Sequence, residues 1–276
     1  MRTQAFSLLF AGTLFLLLGL TACESTGTEG TDTEGTDTET MSSDETTENP
    51  YTLTAFTPST AYPDATINGY SYQGGKFAFD VSGENYQLGA QTPDAPQKMC
   101  ANSDQGQHIH LIIDNQPYAA KYSANFDYEI PDGEHYLLAF LSRSYHESIK
   151  TAEAHTAQKI MVSGNSQTSA EPVTAPMLFY SRPKGTYVGK ANTDKVMLDF
   201  YLVNATLGSD YMVQVEINGE QTLTLDQWQP YYIEGLPMGD NKIKLTLLDK
   251  DGNPVNTPLN PVERVFTLKE DPAEGQ

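Results

Sequence analysis

Apolar and polar residues alternate along most of this chain in short runs with a period of two. Lys76-Phe77-Ala78-Phe79-Asp80-Val81 reads this way, as do Tyr211-Met212-Val213-Gln214-Val215-Glu216-Ile217 and Lys242-Ile243-Lys244-Leu245-Thr246-Leu247. That period puts alternate side chains on opposite faces of a strand, one of them toward a core. Asp132-Gly133, Asn218-Gly219 and Asp251-Gly252-Asn253 separate the runs as turns. Only Ser148 to Ala157 has some helical character, and it is short. The pattern predicts an all-β protein.

The two halves of the pattern match. Ile130-Pro131-Asp132-Gly133-Glu134-His135 aligns with Leu236-Pro237-Met238-Gly239-Asp240-Asn241, and an apolar strand follows each, Tyr136 to Leu141 and Lys242 to Leu247. Upstream, Leu111-Ile112-Ile113 before Asp114-Asn115 aligns with Val215-Glu216-Ile217 before Asn218-Gly219. We therefore expect two tandem β-sandwich domains, 51–163 and 173–270, with a Ser/Gly/Gln-rich linker at 164–172 and a tail at 271–276. The Pro-x-Gly turn entering an alternating strand resembles immunoglobulin-like or fibronectin-like modules of bacterial surface proteins. That resemblance implies Ig-like sandwiches, an architecture that hosts many functions, so function must be sought in a site.

The repeat also sets strand phase. If Val213, Val215 and Ile217 face a core, so do Ile109, Leu111 and Ile113, and His108, His110 and Ile112 face out. The later strand sends Leu137, Ala139 and Leu141 inward and Tyr136, Leu138 and Phe140 outward. In an Ig-like sheet these two strands are neighbours. The expected outer row is then two histidines beside aromatic and aliphatic side chains, with Ser142-Arg143-Ser144-Tyr145-His146-Glu147-Ser148 next to it. Three readings stay open. The segment Ser142–Ala157 or the second domain covers the row, as apolar surface normally is. Alternatively the row binds a protein, peptide or glycan through His108, His110, Tyr136, Phe140, Arg143, Tyr145 and His146. Or His108, His110 and His146 hold copper or zinc, with Glu147 as an oxygen ligand or an orienting group. His135 and His155 read as solvated surface.

The N-terminus changes the setting. Arg2 precedes an apolar run from Ala5 to Leu20, too short for a spanning helix of roughly 20 residues. It ends in Leu20-Thr21-Ala22-Cys23, which resembles the bacterial lipobox. The resemblance implies removal of a signal peptide, 1–22, and lipidation of Cys23, with export and membrane anchoring through that lipid. Residues 24–50 repeat Thr-Glu-Gly-Thr-Asp and hold nine acidic and no basic side chains. Together with Cys23 this 23–50 stretch reads as a disordered acidic tether, with an end-to-end distance of roughly 30 Å. Glu24 after the cysteine favours the outer membrane of the cell envelope.

The formal charge of the whole chain is −20. Residues 51–276 keep 27 acidic and 15 basic side chains, a net charge near −12. That balance argues against nucleic acid as a partner. Lipidation of Cys23 would leave Cys100 alone, a small hydrophobe with no disulfide to form. The chain contains no Gly-x-Ser-x-Gly elbow, no His-Glu-x-x-His helix, no P-loop and no Cys-x-x-Cys. Asp249-Lys250-Asp251-Gly252-Asn253 lacks the later Glu of a calcium loop and reads as a turn. Trp228-Gln229-Pro230-Tyr231-Tyr232 reads as core packing. The leading expectation is a non-catalytic envelope lipoprotein, without a cofactor, that acts in binding or assembly. Copper or zinc binding is the alternative, and a hydrolase stands further off.

Overall fold

A computed structural model describes residues 49–273. The signal peptide, Cys23 with its lipid, the tether as far as residue 48, and residues 274–276 lie outside the described residues. In chain order the first strands are β1 (Thr52–Ala55), β2 (Thr66–Gln73), β3 (Lys76–Ser82), β4 (His108–Ile113), β5 (Ala119–Lys121), β6 (Asn125–Asp127), β7 (Gly133–Ser142), β8 (His155–Ser163) and β9 (Ser166–Pro172). There follow β10 (Met177–Arg182), β11 (Gly185–Val188), β12 (Val196–Val203), β13 (Tyr211–Ile217), β14 (Gln221–Leu225), β15 (Tyr231–Glu234), β16 (Gly239–Asp249) and β17 (Val262–Lys269). The one α-helix among the described residues is a single turn, Lys190–Thr193. The protein is all-β.

The strands form four sheets, paired into two sandwiches. β2-β3-β6 packs on β5-β4-β7-β8-β9, and β1-β15-β12-β10 packs on β11-β17-β16-β13-β14. Each sandwich has its own apolar core. Ile109, Leu111, Leu137, Ala139 and Leu141 meet Tyr72, Phe77 and Phe79 in the first. Val213, Val215, Ile243 and Leu245 meet Leu198 and Phe200 in the second.

The internal repeat extends to individual hydrogen bonds. Asp114 and Asn218 occupy equivalent left-handed turn positions, φ 49° and 54°. Asp114 Oδ1 accepts from the Tyr136 amide at 2.8 Å, and Asn218 Oδ1 from the Lys242 amide at 2.7 Å. The reverse bonds, from the Asp114 amide to the Tyr136 carbonyl and from the Asn218 amide to the Lys242 carbonyl, are also both made. His135 and Asn241 both reach the proline carbonyl four residues earlier. Short polar side chains tolerate the left-handed region and can bond the backbone locally. The two halves thus enter their second central strand by one mechanism.

Two boundaries differ from the sequence expectation. Most of the expected linker at 164–172 is strand β9, paired along β8. Its residues are polar and mostly exposed; an edge strand held by backbone pairing alone leaves no apolar alternation to read. At the other end, β1 pairs with β15 of the second sandwich, although it precedes the whole of the first. Tyr51 exchanges two backbone bonds with the Gln221 amide group, and the Phe56 ring lies 4.4 Å from that of Tyr232. Elsewhere Trp228 packs edge-on against Tyr201 and donates to the Phe200 carbonyl. Asp249 Oδ1 accepts from the Asp251 and Asn253 amides, closing a tight turn.

The sandwiches belong to one compact unit. The outer face of β4 and β7 is covered by the outer face of β10 and β12. Ile112, Leu138 and Phe140 pack with Met177, Phe179, Tyr201 and Val203, and the Phe140 and Tyr201 rings stack at 4.9 Å. Polar clamps flank this apolar patch. The Asn115 side chain bonds both the Leu178 carbonyl and the Tyr180 amide. Buried Asp199 accepts from the Ser148 amide and pairs with Lys150 at 2.6 Å. The covered alternative therefore describes the aromatic row, and Phe140 has no exposed surface.

Phe140→Ser should accordingly lower the unfolding free energy by about 3–5 kcal/mol, the range for emptying a buried aromatic site. Urea denaturation checks this. An open face would give a change within about 0.5 kcal/mol.

Candidate metal centre

Strand pairing brings the first two candidate residues together. β4 runs antiparallel to β7 with His108 opposite Ser142 and His110 opposite Phe140. Both histidines are on the face away from the first core, as the alternation requires, and both are fully buried where the second sandwich covers them. His146 arrives from the turn after β7. The His146 amide bonds the Arg143 carbonyl, and the Arg143 amide bonds the Glu147 carbonyl. His146 has φ 69°, a left-handed conformation that costs a non-glycine residue of order 1–3 kcal/mol and is held only where the surroundings over-determine it.

Three ring nitrogens converge. His108 Nε2 lies 2.8 Å from His110 Nε2 and 3.0 Å from His146 Nδ1, and all three atoms lie within 4.8 Å of one another. A carbonyl partner assigns the tautomer of His108. His108 Nδ1 lies 2.7 Å from the Gly106 carbonyl, which only accepts, so Nδ1 carries the hydrogen and Nε2 is a bare lone pair in the neutral ring. His110 Nδ1 has Ser181 Oγ at 3.3 Å as its partner. The Tyr118 hydroxyl lies 3.2 Å from His146 Nδ1. His108 Nε2 thus presents one lone pair to both neighbouring ring nitrogens.

Burial keeps the rings neutral. It pushes His108 down to about 4 and His110 and His146 well below the ordinary histidine value, with Arg182 and Lys184 adding to the effect on all three. Neutral imidazole is the metal-binding form. Ions with metal–nitrogen bonds of about 2.0–2.1 Å set tetrahedral ligand nitrogens about 3.3 Å apart; His108 is 2.8 and 3.0 Å from its two partners, and the widest separation in the trio, 4.8 Å, would have to shorten on loading. Three imidazoles without thiolate or carboxylate suit copper or zinc. The bond from His108 Nδ1 to the Gly106 carbonyl and the contact of His110 Nδ1 with Ser181 are of the outer-sphere kind that orients such ligands.

The other expected site residues are elsewhere. Tyr136 is half-buried against the apolar interface, and Phe140 is the floor beside His110 at 4.9 Å. Arg143 turns away to the Thr60 carbonyl, at 2.6 and 2.9 Å, and to Glu147. Glu147 is taken by Arg143 and the Ser59 hydroxyl and does not reach the histidines. Tyr145 is buried with Phe56, Cys100 and Tyr232, and it bonds Asp94. These residues do not form an open ligand face with the histidines: the first sandwich uses Arg143, Tyr145 and Glu147 to fix the His146 turn. His155 is not solvated surface. Its ring lies 5.0 Å from Tyr201, and burial lowers its pKa. His135 is tied to Asp114 at 2.6 Å. Cys100 is a buried free thiol that burial pushes up to about 12.

Five residues around the trio carry no signal in the sequence. Tyr118 stacks on His110 with centroids 3.6 Å apart and planes 8° apart. Tyr122 lies 4.8 Å from His108. Ser181, Arg182 and Lys184 come from the second sandwich, 35 to 38 residues beyond His146 in the chain. Only the docking of the two sandwiches brings them in.

No protein-family model matches the chain, and no curated protein matches it. Among solved structures, the fibronectin(III)-like modules of CbhA from Clostridium thermocellum overlap 79% of this chain and 95% of their own, at 10% identity and a TM-score of 0.27. A Ca2+-stabilised, ice-binding adhesin of an Antarctic bacterium overlaps 78% of this chain and 50% of its own, at 14% identity and a TM-score of 0.24. SGBP-B of Bacteroides ovatus, solved with a mixed-linkage heptasaccharide, overlaps 79% and 71% at 10% identity and a TM-score of 0.19.

The neutral trio has a pH signature in the metal-free protein. The folded state takes up protons at these rings less readily than the unfolded chain, whose histidines titrate near 6.5. Their contribution is complete above about pH 6.5 and is lost as pH falls toward about 4 and below. His108 alone should cost about 2 kcal/mol between pH 7.5 and 5, and His155 adds with the same sign. Urea denaturation in a chelator at the two pH values measures this. Equal stabilities would show that the rings are solvated.

Proposed function

We propose that this chain is a metal-binding protein of the cell envelope, holding one copper or zinc ion on His108, His110 and His146 between two β-sandwiches. The observation that supports this reading is the hydrogen-bond arithmetic at His108. Its Nδ1 is committed to the Gly106 carbonyl, yet its single remaining lone pair faces two further ring nitrogens at 2.8 and 3.0 Å. A cation would take one lone pair from each ring, with the most distant pair of nitrogens, up to 4.8 Å apart, drawn together. The lipobox-like Leu20-Thr21-Ala22-Cys23 and the acidic tether supply the setting: export, a lipid on Cys23, and an outer-membrane location. The role is binding rather than catalysis, and the metal is its object. Because the centre draws on both sandwiches, loading should also tighten their docking.

Titration of the full chain, purified in detergent, with copper(II) and separately with zinc(II) tests the reading. One equivalent should bind tightly to the wild type. His108→Ala should weaken that equivalent by more than about 100-fold, beyond the 10–100-fold typical of losing an outer-sphere partner. Binding of equal strength in wild type and variant would remove the proposal.

A further inference from the structure

The second sandwich brings charge to this centre as well as a cover. Arg182 is 5% exposed, yet no carboxylate among the described residues lies within ion-pair distance of it or of Lys184. Its Nε and Nη2 donate to the Tyr187 hydroxyl at 3.2 and 2.8 Å. Its Nη1 is buried and has no hydrogen-bond partner. A buried guanidinium without a counter-ion, and with a donor left unmade, is costly.

Lys184 and the residue before Arg182 border the histidine cluster. Ser181, the residue before Arg182, touches His110 Nδ1. Lys184 Nζ lies 4.1 Å from the centroid of the Tyr118 ring, and that ring is stacked on His110.

A divalent ion on three neutral imidazoles would add two positive charges to these two, in a dry interface where none is cancelled. Like charges at short range in low dielectric repel strongly. Three protein ligands also leave the fourth tetrahedral position open, the arrangement that accepts an exogenous ligand. An anion would supply both the missing countercharge and the fourth ligand.

We propose that the three-histidine centre binds a small anion, an oxyanion, carboxylate or pseudohalide, as the fourth ligand of its metal ion, with Arg182 and Lys184 as the countercharge. The inference rests on the metal reading above. It involves ligand exchange only: the anion replaces water on the metal, and neither the ion nor the protein changes oxidation state. The two cations would also draw anions toward an otherwise acidic protein.

The test uses the full chain loaded with one equivalent of copper(II) and titrated with sodium azide, following the azide-to-copper charge-transfer band. The wild type should show a saturable band at one azide per copper. Lys184→Gln, a half-buried position whose loss the fold should tolerate, should weaken azide by about tenfold, and Arg182→Gln by more, as for loss of a close charge partner. If Arg182→Gln does not fold, the Lys184 variant decides alone. Copper bound without an azide band, or azide affinity unchanged in the folded variants, overturns the anion site and leaves the metal reading standing. Failure of copper itself to bind overturns both.

Discussion

The contact between the outer face of β4–β7 and the outer face of β10–β12 governs the rest of this structure. Each sandwich has a sufficient core of its own, so neither needs the other to bury its inner faces. What needs covering is the second, outer row on β4 and β7, where Ile112, Leu138 and Phe140 sit beside two histidines. Left in water, this row would be an apolar patch. Docked, it becomes a third core, and the histidines lose their solvent with it. Burial is then the common cause of two properties at once: neutral rings, and a setting in which charge interactions are strengthened.

The chain path reinforces that docking. β1 joins the second sandwich before the first has begun, so residues 56–65 cross from one to the other. The return crossing follows β9. Asp199 reaches from β12 into the turn after β7, binding Ser148 and Lys150. That turn also carries His146, whose left-handed backbone is held by Arg143 and Glu147. The third imidazole is thus positioned by an arginine, a carboxylate and a neighbouring sandwich, none of which contributes a ligand. This division between groups that bind and groups that position explains why Arg143, Tyr145 and Glu147 lie near the histidines in sequence and apart from them in space.

Much of this was legible in the sequence. Alternation and the repeated Pro-x-Gly turn read correctly as all-β, and aligning Leu111-Ile112-Ile113 with Val215-Glu216-Ile217 put His108 and His110 on one face with Phe140. That worked because strand phase is a local property with a period of two. What failed was long-range or lacked an apolar signature. β9 is an edge strand of polar residues and looks like a linker. β1 pairs with residues about 180 positions away. Tyr118 stacks on His110 from a loop with no periodicity, and Arg182 and Lys184 come from the other sandwich. No local pattern announces that one outer face will close on another.

Anomalous diffraction at the copper edge, from crystals of the copper-loaded protein, tests the central claim most directly. The account predicts a single peak about 2 Å from each of His108 Nε2, His110 Nε2 and His146 Nδ1, with the His110 and His146 rings drawn together around it. A peak elsewhere on the protein, or imidazoles still in contact with one another and no metal between them, would contradict it.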